Sequence, residues 1–358
     1  MIVPFDDHMV HRGHGVFDTA HVCDGRCHLL DRHLARFERS MRSAKLKPPA
    51  GQSYASMRAV ILATIAASGL RDAQVRYYAG AGPGGFALSH DECVDSTFYV
   101  TVVAGRAAPD PNRGVAVVTS DVPIKPPAFA TVKSVNYLPN AMVVADARDR
   151  GADYGVWMTE RGLVGEGPSM NLAIVEDGCF VTPPTDDVLA GCTVRRAMEL
   201  IARAPDGALA HLGVTDARHE DITVERAKSA DEVVLIGSVI WCQPIVRWDG
   251  EEVGKGRARG CAGPCALAAR GACWRTLGTK KASSWMCPTR EGFSGEGAGE
   301  AVTGYRLAQQ GEADDGHRGG GDDGRDLVGD LVVLLHDVVH ALGLDLFGRE
   351  RDRGSGRC

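Results

Sequence analysis

No uninterrupted apolar run in this 358-residue chain is long enough to cross a bilayer. Nor does it open with a targeting signal: MIVPFDDHMVHRGHG has neither the basic-then-apolar layout of a secretory leader nor an Arg- and Ser-rich transit segment. Basic charge is not in excess. The 40 Lys and Arg face 46 Asp and Glu, a net charge of −6, so there is no global field to recruit nucleic acid or an acidic membrane. A disulfide framework is disfavoured by an odd count of 11 cysteines in a chain with no export signal; free thiols in a reducing compartment fit better. With 44% apolar and 24% charged residues, the composition excludes a wholly disordered or collagen-like chain.

What is present reads as an α+β protein. Residues 16–28, GVFDTAHVCDGRC with its neighbours, give a strand and a turn at Asp24-Gly25. Asp31 is the expected cap of a helix with Leu30, Leu34, Phe37 and Met41 on one face, opposite Arg32, Arg36 and Arg39. A second helix, from about Ser53 to Leu70, turns Met57, Ile61, Ile65 and Leu70 inward, and strands follow at Gln74–Ala79 and Thr97–Ala104. Pro and Gly punctuate 107–114 as a linker. A β-rich unit then runs through strands at Val115–Ser120, Gly155–Thr159, Leu172–Val175, Cys179–Thr182 and Glu232–Gly237, with helices near Asn140–Arg150 and Thr193–Ala204. Beyond Lys255 the composition shifts to Gly, Ala, Arg and Cys with no steady period, as expected of a low-complexity, disordered tail. Within it, Leu331–Phe347 suits an isolated amphipathic helix rather than a membrane span, because Asp and His interrupt it.

Three motifs are decoys. Gly80, Gly82 and Gly85 spell a dinucleotide fingerprint, but Pro83 sits inside it and no helix pattern follows to hold a pyrophosphate, so a tight turn is expected. His8, His11 and His14 recur every three residues without thiolate partners, in a segment too glycine-rich for a stable helix. A loop of partly exposed histidines is the expectation there, with no metal. Cys261, Cys265, Cys273 and Cys287 match the spacing of no common zinc module.

Lysine is scarce before residue 256: Lys45, Lys47, Lys125, Lys133, Lys228 and Lys255. Most stand in polar, solvent-facing contexts. Lys133 does not, since it lies in FATVKSVNYLPNAM between β-prone residues and a helix start. An amine partly withdrawn from water is more readily the free base that attacks a carbonyl. Downstream, Glu166 sits between glycines ahead of a buried-looking strand, a costly place for a carboxylate without a cationic partner. Gly191-Cys192-Thr193 opens a helix whose free N–H groups and Thr hydroxyl make a phosphate site, and Gly237-Ser238 offers a second cluster. Reactive amine, buried carboxylate and phosphate cup together are what pyridoxal 5′-phosphate requires.

The motifs HRGHGVFDTA, LDRHLARFERS, TVKSVNYLPN, GEGPSMN, TPPTDDVLAGCTVRR and ADEVVLIGS, in this order and spacing over residues 1 to about 256, resemble the class IV (fold type IV) pyridoxal-phosphate aminotransferases. The match is nearest to the plant-type D-amino-acid transaminase and aminodeoxychorismate lyase group. The resemblance implies a two-domain fold: a small α+β domain over 1–106, the linker over 107–114, a larger cofactor domain over 115–256 and the atypical tail over 257–358. It implies Lys133 as the Schiff-base lysine and Glu166 as the partner of the pyridine nitrogen. Arg36, Cys192, Thr193 and Ser238 become phosphate ligands, and Leu189 the residue beneath the ring. It also implies a homodimer acting on amino acids and 2-keto acids, with no nucleic-acid or membrane partner. D-amino-acid transamination is the leading activity; aminodeoxychorismate lyase and branched-chain L-transamination are the alternatives, and a truncated, non-catalytic homologue is the alternative of a different class.

Three departures from the family pattern qualify these expectations. Bacterial D-amino-acid transaminases hold the substrate carboxylate with an Arg-x-His pair, where this strand reads Arg76-Tyr-Tyr-Ala-Gly-Ala-Gly; Phe17 stands where a tyrosine is frequent. The family has a further strand before residue 1 and a final helix after Gly256. Here GRARGCAGPCALAARGACW follows instead, which reads as an altered frame or a mis-joined exon. A cytoplasmic location is expected for the chain as given, and a plastid one for a longer precursor.

Overall fold

The computed structural model describes residues 2–104, 113–203 and 214–254, all within one unit spanning Met1–Phe293. The tail over 257–358, its cysteine set and most of the 107–114 linker lie outside the described residues.

The chain begins with a one-turn helix, α1 (His8–His11), then β1 (Gly15–Cys23), β2 (Arg26–Cys27), α2 (Leu30–Ser43), α3 (Tyr54–Ser68), β3 (Ala73–Gly80) and β4 (Thr97–Ala104). These four strands form an antiparallel sheet in the order β2-β1-β3-β4. Asp24 and Gly25 turn β1 into β2 with positive φ at both positions, as the hairpin requires. Val16, Ala20 and Val22 alternate along one face of β1. With Phe37 and Met41 of α2, Met57, Ile61 and Ile65 of α3, and Val75 and Tyr77 of β3, they make a continuous apolar core. Each such side chain contributes about 1.5–3 kcal/mol by leaving water. Ser53 and Ser56 reciprocate hydrogen bonds as a capping box at the start of α3, and Gly69 ends it with φ 65°.

Two local expectations are corrected. Asp31 does not cap α2: the helix follows Leu29, held left-handed at φ 52°, and Asp31 lies in its first turn. The buried stripe of α2 is Leu30, His33, Arg36, Phe37, Ser40 and Met41, so Arg36 faces inward rather than opposite the apolar side chains. The reason is a carboxylate on the facing strand, described below.

The second sheet gathers β5 (Val115–Thr119), β6 (Tyr154–Val156), β7 (Asn171–Glu176), β8 (Cys179–Thr182), β9 (Asp216–His219), β10 (Glu232–Gly237), β11 (Trp241–Trp248) and β12 (Glu251–Glu252). Along its main path the order is β6-β5-β11-β10-β7-β8-β9, with mixed parallel and antiparallel pairing. Between strands come α4 (Pro127–Ala130), α5 (Leu138–Asp149), α6 (Cys192–Arg203) and α7 (Val224–Ser229). β7 and β10 are apolar at successive positions because both faces are covered. Leu172, Ile174, Val233 and Leu235 pack on one side with Ile222, Ala227 and Trp248, while Ala173, Val175, Val234 and Ile236 pack on the other with Val194, Ala197 and Ile201 of α6.

The sequence pattern ends this unit at β10, yet β11 is a central strand between β10 and β5. Pro244 stands in the middle of it, opposite Val234, and hides the strand from any propensity reading. Near it the β5 ladder shifts register between Ile245 and Arg247. The glycine decoy carries no helix, but the expected tight turn is corrected: Pro83 bridges Asp7 and a long connection leads from Gly80 to β4 at Thr97, with Gly82 at φ 97°, where a Cβ would lie 1.7 Å from Asp95 O. The histidine decoy needs correction, since His8 is fully buried in α1 rather than partly exposed in a loop. Among the described residues no group of His, Cys, Asp or Glu could hold a metal ion.

Candidate active site

The two sheets meet along a seam formed by β1 and α2 on one side and by the loop before β7, the loop after β8, the start of α6 and the end of β10 on the other. Lys133 is pinned there by its own backbone. Its carbonyl accepts from Phe17 N at 2.9 Å, its N–H donates to Ser40 Oγ at 3.1 Å, and Val135 N donates to Gly15 O at 3.0 Å. The segment thus runs as an added partner along β1, with Val16 bridged to Ser134. The Lys133 side chain is buried, its Nζ donating to the Tyr137 hydroxyl at 3.0 Å and standing 4.7 Å from the centre of the Phe17 ring. Phe17 in turn stacks on Tyr78 at 5.5 Å.

Glu166 is also buried. One of its oxygens accepts from Leu189 N at 3.2 Å and from Asn171 Nδ2 at 3.3 Å. Burial pushes its carboxyl up to about 7, opposed by Lys125, the Leu189 N–H, Lys133 and Arg36. Asn171 also donates to Leu189 O at 2.8 Å, so one amide fixes both the carboxylate and the loop bearing Leu189. Gly191 is required beside it, since a Cβ there would lie 1.9 Å from Asn171 Oδ1.

At the other end of the seam, Arg36 reaches from α2 and donates to Ala190 O at 3.3 Å. Cys192 and Thr193 open α6, and Thr193 Oγ1 lies 3.3 Å from Ser238 Oγ at the end of β10. Burial raises the Cys192 thiol, but hydrogen bonding to His33 and the charges of Arg36 and His33 bring it below its ordinary value. A cavity of about 220 Å³ opens here, lined by Arg36, Arg39, Ser40, Ser43, Thr131, Thr185 and Ala190. Its lining carries guanidinium and hydroxyl groups and no acid.

The residues selected from the sequence therefore fall into two neighbouring groups: Lys133, Glu166 and Leu189 at one end, Arg36, Cys192, Thr193 and Ser238 at the other. Sequence reasoning missed Tyr137, Asn171, Asp18, His33 and Lys125. Tyr137 follows Lys133 by four residues on a non-helical segment that ends at the start of α5, so no local period marks it. Lys125 stands in what reads as a solvent-facing context, yet it is half-buried, 5.1 Å from the centre of the Tyr137 ring, and within electrostatic reach of Glu166; burial lowers its amine. Arg76 is exposed and donates to Gln74 Oε1 at 3.4 Å, away from this seam.

The family model described as "Amino-transferase class IV" matches residues 15–248. A chloroplastic D-amino-acid transaminase of Arabidopsis thaliana is 45% identical over 260 residues, covering 72% of this chain and 68% of the relative. A bifunctional aminodeoxychorismate lyase / D-amino acid transaminase of Mycobacterium tuberculosis is 31% identical over 218 residues, 56% of this chain and 72% of that one. Among solved structures, the branched-chain amino acid aminotransferase of Escherichia coli superposes with a TM-score of 0.68 at 23% identity, over 79% of this chain and 93% of the other. With the family model spanning residues 15–248 and a 45% identical relative, the chain belongs to the class IV aminotransferases.

Proposed function

We propose that this aminotransferase uses pyridoxal 5′-phosphate at the seam and acts as a D-amino-acid transaminase. The observation that carries the reading is a buried amine, that of Lys133, within electrostatic reach of the buried carboxylate of Glu166, with Arg36 lining an acid-free cavity beside them. That donor set fits the cofactor. Lys133 would hold the aldehyde, Glu166 the ring nitrogen and Leu189 a ring face, while Arg36, Thr193, Ser238 and the backbone at Cys192 would hold the phosphate. Bound there, the cofactor supplies an electron sink for the charge released at the substrate Cα.

The protein's own part is proton handling and orientation. Lys133 Nζ is the base that takes the Cα proton, and its hydrogen bond to the Tyr137 hydroxyl fixes the direction from which it does so. The Phe17 ring beneath the amine keeps water from that side. Glu166 acts through its charge, which Lys125, the Leu189 N–H, Lys133 and Arg36 favour against burial.

D-specificity is supported by the Arabidopsis relative at 45% identity. Lyase activity on aminodeoxychorismate is the second reading, favoured by the bifunctional relative and by the exposed position of Arg76, which leaves the carboxylate-holding pair of the bacterial D-enzymes without a counterpart. The division into a small domain over 1–106 and a cofactor domain over 115–256 belongs to the same proposal. So does a homodimer, supported by exposed apolar side chains at Phe5, Phe86, Leu88 and Val94, and a plastid location, supported by the chloroplastic relative. Among the described residues no helix is long and apolar enough to cross a membrane.

Purified protein that is yellow, bleaches with borohydride and fixes label at Lys133 supports the cofactor. Colourless protein that takes up none leaves a non-catalytic homologue. Keto-acid assays on D-alanine, L-leucine and aminodeoxychorismate then separate the three activities, and turnover of L-leucine alone overturns the D-transaminase reading.

A further inference from the structure

We propose that Asp18 and His33 are positioning residues of the phosphate cradle, joining Arg36 on α2 to Thr193 and Ser238 on the other sheet. The inference rests on the cofactor reading above. Asp18 sits on the buried face of β1 between Val16 and Ala20, with no exposed surface. A lone carboxylate there would be costly, and this one is fully compensated. Arg36 grips it with two parallel bonds, Nε to Oδ2 at 2.9 Å and Nη2 to Oδ1 at 2.8 Å. His33 Nδ1 lies 2.9 Å from Oδ1. A carboxylate only accepts, so Nδ1 carries the proton in this contact.

The other ring nitrogen makes the connection. His33 Nε2 lies 3.4 Å from Ser238 Oγ, and Ser238 Oγ lies 3.3 Å from Thr193 Oγ1. One continuous chain therefore runs Arg36–Asp18–His33–Ser238–Thr193, from β1 and α2 to the ends of β10 and α6. With Nε and Nη2 of Arg36 committed to Asp18 and Nη1 to Ala190 O, the guanidinium is held in a single orientation at the cavity that Arg36 and Ala190 line. The two hydroxyls are likewise held together at the start of α6, where free N–H groups favour an anion. Arg36 is a cation beside the one carboxylate of Asp18, and His33 turns its Nδ1 proton to the same carboxylate. The cradle is pre-set for an anion instead of ordering around one, which is where affinity is gained.

The charge state follows the same arrangement. Burial opposes a charged His33, but Asp18 outweighs it and, with Cys192, raises the imidazole above its ordinary value; His28 faces it from the turn before α2.

The test separates phosphate from ring. The full-length protein is stripped and titrated with pyridoxal 5′-phosphate and, separately, with pyridoxal, which lacks the phosphate. In Asp18→Asn the dissociation constant for the phosphorylated compound rises about tenfold to a hundredfold while that for pyridoxal stays within about twofold, and His33→Gln shifts the same ratio by a smaller factor. Val16→Ala, on the same face of β1, lowers the melting temperature and leaves the ratio alone. If Asp18→Asn does not fold, His33→Gln decides. An unchanged ratio, or equal loss of both compounds, overturns the inference and leaves the cofactor reading standing. Native protein that binds neither compound overturns both.

Discussion

Val16 and Asp18 stand two residues apart on the same face of β1, both without exposure, and bury against opposite kinds of surroundings. Val16 joins Phe37, Met41, Met57 and Tyr77 in a core held by area and shape alone. Asp18 looks onto the seam, where Arg36, His33, Lys133 and Glu166 are equally withdrawn from water but each has a named partner. The apolar core tolerates any side chain of the right volume, with stability as its only output. The seam tolerates few exchanges, because removing one member leaves another buried charge uncompensated. One helix serves both: α2 gives Phe37 and Met41 to the core, and His33 and Arg36 to the seam.

That contrast is open to direct attack. The largest expected effect is chemical. Lys133→Ala lowers aminotransfer by at least about a thousandfold, with the unfolding transition little changed; residual turnover near the native rate would remove the amine from the mechanism. Phe37→Ala should do the reverse, costing about 3–5 kcal/mol in a denaturant titration while the remaining folded fraction keeps its affinity for the cofactor.

Glu166 gives a pH signature that the apolar core cannot. Its carboxyl is raised to about 7 in the folded chain. The folded state therefore keeps a proton that the unfolded chain releases at its ordinary, lower value. The resulting stability is complete below about pH 4.3 and is lost as the pH rises through about 7. In Glu166→Gln this slope disappears, and at pH 8 the cofactor-free variant is the more stable by about 3–4 kcal/mol. Matching pH curves for native and variant would show the carboxylate to be solvated. The smallest effect concerns neither region: Ser53→Ala removes the α3 cap and costs about 1 kcal/mol in thermal melting, with cofactor affinity unaltered. A larger loss, or one that reaches the site, would mean that α3 couples to the seam.

Where the sequence was legible, a local period carried the signal. α3 repeats its apolar residues at helical spacing and announces its cap at Ser53. β7 and β10 are apolar throughout because both faces are covered. Lys133, Glu166 and Thr193 stand out because their neighbours make a lysine, a carboxylate and a hydroxyl unusual there. β11 was illegible for a stated reason, a proline in a strand whose neighbours supply the missing order. Asp18 left a trace that passes unnoticed, an acid at a core position between Val16 and Ala20. Read alone, it is only a defect in the alternation.

The sequence by itself determined the longer helices and most strands, the core residues of the first sheet and the chemical types gathered for the reaction, because these depend on spacing within a few residues. Only the tertiary structure decided which way Arg36 points. A helical wheel places a guanidinium by polarity, on the solvated side, whereas here a carboxylate 18 positions earlier turns it inward. Burial of a charge is decided by its partner, and a partner on another element is set by the fold, not by the local pattern.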